Sequence, residues 1–135
     1  MPGGKGKTMA IVFHAHCVAI EDMDDFWLVG FADDKFNTRD YLMLQRAFEH
    51  DEQDVSLGMN TYHVERNGQG WSGYGGIMAF ELRRDRAKIV FTKEGAATMG
   101  NVTEMEITFR VDGDEYSKLK DRLGKIFAGA GCLVE

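Results

Sequence analysis

The sequence predicts an α+β domain in which a mostly antiparallel sheet of about six or seven strands carries a C-terminal helix packed on one face. Three observations predict it. Segments with a two-residue apolar alternation follow one another at short spacing, which implies antiparallel pairing, because parallel pairs need long crossovers. A single stripe of helical period lies near the C-terminus. The composition, 44% hydrophobic and 28% charged with one Pro in 135 residues, is that of a chain able to bury a core without staples.

Residues 1–8, MPGGKGKT, read as a flexible lead-in to one domain over residues 9–135. From Thr8 to Ile20 the pattern is that of one strand, with Ile11, Phe13, Ala15, Cys17 and Ala19 on an apolar face. An acidic turn, Glu21 to Asp25, precedes Phe26–Ala32, which is apolar on both faces and so predicts a central strand covered on both sides. Asp33 to Thr38 reads as a polar turn. Asp40 to Phe48 reads as a strand with Leu42, Leu44 and Phe48 inward. Residues 49–60 form an acidic loop with room for a short helical turn, and Thr61–Arg66 is a further strand. After a glycine-rich stretch, Ile77–Arg83 and Arg86–Thr92 predict a hairpin about Arg84 and Asp85. One helical turn fits residues 94–101. Thr103–Val111 alternates cleanly, with Met105, Ile107, Phe109 and Val111 inward. Tyr116, Leu119, Leu123, Ile126 and Phe127 form the helical stripe, with Asp112 or Asp114 as cap and Gly129 or Gly131 as stop.

Charge is unevenly placed. The net charge is −6, yet residues 21–60 hold eleven acids and three bases, whereas residues 61–135 hold eleven of each. This argues against nucleic acid as a direct partner, since phosphate binding needs a basic surface. It suits a basic partner, because complementary fields speed encounter. Two cysteines, Cys17 and Cys132, are too few for a disulfide framework and read as reduced thiols. His14 and His16 interrupt the first apolar run, and no run nears the roughly 20 residues that span a bilayer. A cytoplasmic protein with no membrane partner is expected.

Several motifs suggest chemistry without its context. Gly6-Lys7-Thr8 lacks the earlier glycine of a phosphate loop, since that position is Met1. Gly68-Gln69-Gly70-Trp71-Ser72-Gly73 matches a dinucleotide fingerprint in letters, but no strand–turn–helix unit surrounds it. Turn glycines, or a binding loop carrying Trp71 and Tyr74, are the readings that remain. His14 and His16 share a strand face but need a third ligand to hold a metal. His50-Asp51-Glu52-Gln53-Asp54 lacks apolar neighbours that could hold one carboxyl neutral, and lacks the spacing of a calcium loop. No cofactor, metal or catalytic residue is expected.

The runs Tyr41-Leu42-Met43-Leu44-Gln45-Arg46, Asp51-Glu52-Gln53-Asp54, Leu57-Gly58-Met59, Tyr62-His63-Val64-Glu65 and Ser72-Gly73-Tyr74-Gly75-Gly76, in that order, resemble immunity protein family 10. The resemblance covers roughly residues 25–128 and is most specific over 41–80. The family comprises small bacterial proteins of polymorphic toxin systems. The resemblance implies a non-enzymatic inhibitor that binds a cognate toxin domain inside the producing cell, and a basic toxin such as a nuclease would suit the acidic segment. By matching positions it implies Asp51, Glu52, Gln53, Asp54, Tyr62, Glu65, Ser72 and Tyr74 as toxin contacts. Trp71 joins them from the Gly-aromatic loop. Gly73, Gly75 and Gly76 read as structural, and Gln45 and Arg46 as either. Two rival readings stand beside this one. One is a small-molecule-binding or enzymatic domain using Trp71, Tyr74 and the acidic loop. The other is a homo-oligomer paired through exposed strand edges.

Overall fold

The computed structural model describes residues 8–50, 52–56, 60–68 and 70–135. The phosphate-loop look-alike therefore lies almost wholly outside the described residues, as do Asp51, Leu57, Gly58, Met59 and Gln69.

The elements run β1 (Met9–Ala15), β2 (Cys17–Asp22), β3 (Phe26–Ala32), β4 (Tyr41–Ala47), α1 (Glu52–Ser56), β5 (His63–Arg66), β6 (Ser72–Tyr74), β7 (Ile77–Leu82), β8 (Arg86–Phe91), α2 (Lys93–Thr98), β9 (Val102–Phe109), α3 (Gly113–Ile126) and β10 (Leu133–Val134). The α+β class holds, with the strands divided between two five-stranded sheets rather than gathered in one. The first sheet has the order β1-β9-β8-β7-β10 and the second the order β2-β3-β4-β5-β6. The second is a pure antiparallel meander. The first is antiparallel at its centre, but β1 lies parallel to β9 and β10 parallel to β7 at its two edges. Those edge strands return from distant parts of the chain, so spacing along the sequence gives no sign of their pairing.

The division begins at His16. The stretch read as one strand bends there, β1 joining the first sheet and β2 the second. The bend reverses the parity of the alternation, as at the corners where a strand switches sheets. Phe13 and Ala15 face the core, and Ile11 packs against it. Beyond the bend Val18 and Ile20 pack inward, so Cys17 and Ala19 face outward instead of continuing the apolar face.

The inner faces of both sheets meet in one core. Phe31 of the second sheet packs on Phe109 of the first at 5.7 Å between ring centres. The α3 helix lies on the inner face of β2–β4 and buries Leu119, Leu123 and Ile126 completely. Its end residue Phe127 touches Tyr62 and Phe80, tying the helix to both sheets. Of the two proposed caps, Asp112 takes the role. Its carboxylate accepts from the Glu115 amide at 2.8 Å while its own amide donates to the Glu115 side chain. At the other end Arg46 donates to the carbonyls of Ile126 and Ala128, which the helix itself cannot satisfy. Arg122 grips Asp22 with two hydrogen bonds of 2.6 and 2.8 Å, fixing α3 to β2.

The β7–β8 hairpin and the inward set Met105, Ile107, Phe109 and Val111 stand where the alternation put them. Phe48 does not: β4 ends at Ala47, and Phe48 sits 41% exposed against Trp27. The helical turn expected over 94–101 is α2, capped by Thr92, whose hydroxyl accepts from the Gly95 amide. This short helix presses on the backbone between β6 and β7. A Cβ at Gly95 would stand 2.1 Å from the Gly76 carbonyl oxygen, so glycine is required there. Gly76 adopts φ +92° at the same contact.

Candidate functional site

The strand registers sort every side chain of the second sheet into two faces. Phe31 pairs with Leu42, Val29 with Leu44, and Leu44 with Val64, and all of these point to the core. The alternate residues therefore point outward: Cys17, Ala19 and Glu21 on β2; Phe26, Leu28, Gly30 and Ala32 on β3; Tyr41, Met43, Gln45 and Ala47 on β4; His63 and Glu65 on β5; Ser72 and Tyr74 on β6. The basic residues of these five strands, Arg46 and Arg66, share the inward parity. The outer face thus has strand carboxylates at Glu21 and Glu65 and no strand base.

Three of the matched sequence runs converge here. Tyr41–Arg46 is most of β4, His63–Glu65 most of β5, and Ser72–Tyr74 all of β6, and these strands are adjacent. Tyr41 donates its hydroxyl to Glu65 across the face. Burial first, and then that hydrogen bond, pushes the Tyr41 hydroxyl up to about 12, so it remains a donor at neutral pH. His63 meets Tyr74 edge-on at 4.9 Å. Beside this pair a cleft of about 260 Å³ is lined by Phe26, Gln45, Arg46, Ala47, His50, Thr61, His63 and Tyr74. Toward β2 the face turns apolar, and a shallow groove of about 270 Å³ runs over Cys17, Ala19, Leu28, Gly30 and Met43.

The expected contact residues fall into distinct positions. Glu65 and Ser72 are paired neighbours on the outer face, and Tyr74 is 46% exposed beside them. Glu52 and Gln53 are exposed on α1, in the connection that leaves the cleft near His50 and returns near Thr61. Asp51 and the Asp54 side chain lie outside the described residues. Trp71 is partly exposed at the β5–β6 turn, with one ring face stacked on the Arg66 guanidinium at 4.2 Å. Arg66 in turn donates to the Met99 carbonyl, so Trp71 also covers a buried cation.

Tyr62 requires a correction. It is 3% exposed, its hydroxyl accepts from the Ile77 amide at 2.9 Å, and its ring packs on Phe127. Burial pushes its hydroxyl up to about 12. It holds β7 and α3 together from inside and has no surface to offer a partner. Gly73 and Gly76 are packing positions: a Cβ at Gly73 would stand 2.9 Å from the Thr98 side chain, and one at Gly76 2.9 Å from the Gly95 backbone.

The two-sided apolar pattern of β3 also changes meaning. Its inner side is covered by the core and α3, but its outer side, Leu28 and Gly30, lines the open groove. Sequence reasoning missed this apolar half of the face. The signal was present, because a strand apolar on both sides that has one side bare lacks a layer. His14 and His16 form a ring contact of 4.6 Å, and His14 hydrogen-bonds Thr108. Among the described residues no three His, Cys, Asp or Glu side chains are grouped to hold a metal ion. No helix among them is long and apolar enough to cross a membrane.

A search of curated proteins finds no significant match. The family model described as Immunity protein 10 matches residues 14–117. The match takes in the whole second sheet, the hairpin, β9 and the first turn of α3. The chain belongs to the Immunity protein 10 family.

Proposed function

We propose that this immunity protein neutralises the toxin domain of a polymorphic toxin system by binding it, without catalysis, through the outer face of the β2–β6 sheet. The carrying observation is that three ordered family runs fold onto three adjacent strands and turn their alternate side chains outward together. Glu65, Ser72 and Tyr74 form the centre of the contact. Trp71 stands at one end, and Glu52 and Gln53 lie exposed in the connection beside the cleft; with Asp51 and Asp54 of the same run they make up the proposed acidic arm.

The charge favours a basic target. Residues 21–60 hold eleven of the twenty-two acids and three of the sixteen bases, and the end of β2 with all of β3 and β4 lies in that stretch. A toxin that acts on nucleic acid needs a basic surface, so a nuclease is the toxin class we favour. Such an encounter takes place in the cytoplasm of the producing cell.

The test is co-expression and co-purification with the toxin domain encoded beside this gene. The wild-type chain should protect cells and co-purify at one-to-one stoichiometry. Charge reversal at Asp51, Glu52 and Asp54 should lower the association rate and flatten its salt dependence. Failure of the wild-type chain to bind or protect would end this reading. An unchanged rate after reversal would remove the acidic arm from the contact.

A further inference from the structure

We infer that Phe36, at the tip of the β3–β4 loop, is the apolar anchor of the toxin contact, and that the bare groove over Ala19, Leu28, Gly30 and Met43 continues its footprint. This rests on the binding role proposed above and specifies the partner: a toxin surface with an apolar pocket set among basic groups.

Phe36 is 91% exposed, the highest value for any large apolar side chain among the described residues. It is not on a frayed segment. The Asp34 carboxylate accepts from the amides of Phe36 and Asn37 at 2.8 and 3.1 Å. Thr38 donates its hydroxyl to the Asp34 carbonyl, and the Asp33 carboxylate accepts from the Arg39 amide at 2.9 Å. The base of the loop is pinned as well, because the Asp33 amide donates to the Asp40 carbonyl. Asn67 then bridges Asp40 and the Tyr41 amide. Amide donors hold the Asp33 and Asp34 carboxyls below the usual carboxylate range, so these restraints persist at neutral pH.

A shaped loop that holds an aromatic ring in water has done nothing for the core. It has removed in advance the ordering cost that an anchor residue meets on binding. Aromatic anchors seated in a partner's pocket dominate interface energetics. The same loop supplies Thr38 to the lining of the groove, two residues along the chain from Phe36.

Charge selects the occupant. Glu21 and Glu65 stand on the strands of this face; the loop carries Asp33, Asp34 and Asp40 against Arg39 and Lys35, whose Nζ lies 5.6 Å from the Phe36 ring centre; Arg46 and Arg66 have the inward parity. A second copy of this chain would bring the same carboxylates against themselves. A basic partner meets them with opposite charge, while Phe36 and the groove supply the apolar centre.

The experiment measures binding of the adjacent gene's toxin domain to the wild-type chain, to Phe36→Ser, to Met43→Asp and to Val12→Ser. Val12 is a control, 69% exposed on the outer face of the other sheet. Thermal melts should show Phe36→Ser and Val12→Ser folded as the wild type, since both side chains stand in water. We expect Phe36→Ser to weaken binding at least about 30-fold, chiefly through faster dissociation, and Val12→Ser to leave it unchanged. Met43→Asp should weaken it about tenfold or more. Wild-type binding with Phe36→Ser indistinguishable from Val12→Ser would overturn this inference and leave the binding role intact. Absence of wild-type binding would overturn both. A toxin-free dimer that Phe36→Ser dissolves would show that the occupant is a second copy and would contradict the partner named here.

Discussion

The outer faces of the two sheets are built from the same alternation and have opposite characters. On the first sheet Lys88 meets Glu104 at 3.7 Å, Arg83 meets Glu81 at 3.5 Å, and His14 hydrogen-bonds Thr108 across β1 and β9. Acids and bases are interleaved there, with Val12 of β1 and Met78 of β7 exposed among them. On the second sheet Arg46 and Arg66 turn inward, Glu21 and Glu65 stay out while Asp22 turns in to Arg122, and a groove of Leu28, Gly30 and Met43 lies open. Two sheets of equal strand number thus differ in what completes them. Water completes the first, and in the proposed function the toxin surface completes the second.

The severest test separates this comparison from simple loss of fold. Gly95→Ala places a Cβ against the Gly76 carbonyl, 2.1 Å away. It should destabilise the protein by about 3 kcal/mol or more in denaturant unfolding, and any loss of binding should follow the unfolded fraction. Tyr62→Phe is the next. It removes the hydroxyl that accepts from the buried Ile77 amide, and should lower stability by about 1–3 kcal/mol. Because Tyr62 is inside, toxin affinity should be unchanged below the melting transition. A selective loss of affinity would return Tyr62 to the contact.

Charge reversal sharpens the comparison directly. Glu21→Lys combined with Glu65→Lys should slow association by about tenfold at low salt. Glu104→Lys on the other sheet should leave the rate alone, and equal slowing by both would erase the distinction between the faces. The smallest effect is on pH. The Arg122 hydrogen bond holds the Asp22 carboxyl below its usual range. Its contribution is present above the ordinary carboxylate value and is lost as pH falls through the lowered one. The stability gap between the wild type and Asp22→Asn should therefore be small at neutral pH and close in acid, as followed by denaturant midpoints.

Local structure was largely legible in the sequence, because alternation and capping are local. The inward set of β9, the 77–92 hairpin, the α3 stripe and the short helix after Thr92 follow from side-chain period and cap chemistry. The bend at His16 was not legible, since an unbroken apolar run does not say where a chain leaves one sheet for another. The parallel edges were hidden because β1 and β10 pair with strands far away in sequence. Of the candidate site, Glu65, Ser72 and Tyr74 reach the surface together, while Tyr62, in the same run as Glu65, faces inward. A motif marks positions, and strand parity decides which of them a partner can touch. Phe36 was passed over inside a polar turn, because its exposure depends on the hydrogen bonds that Asp33 and Asp34 make in the folded loop.

The most direct measurement is a titration of the isotopically labelled chain with the adjacent gene's toxin domain, following amide and methyl chemical shifts. The account predicts the largest changes at Leu28, Gly30, Phe36, Met43, Glu65 and Tyr74, with Val12, Lys88, Glu104 and Glu106 unmoved. Changes concentrated on that second group would contradict it.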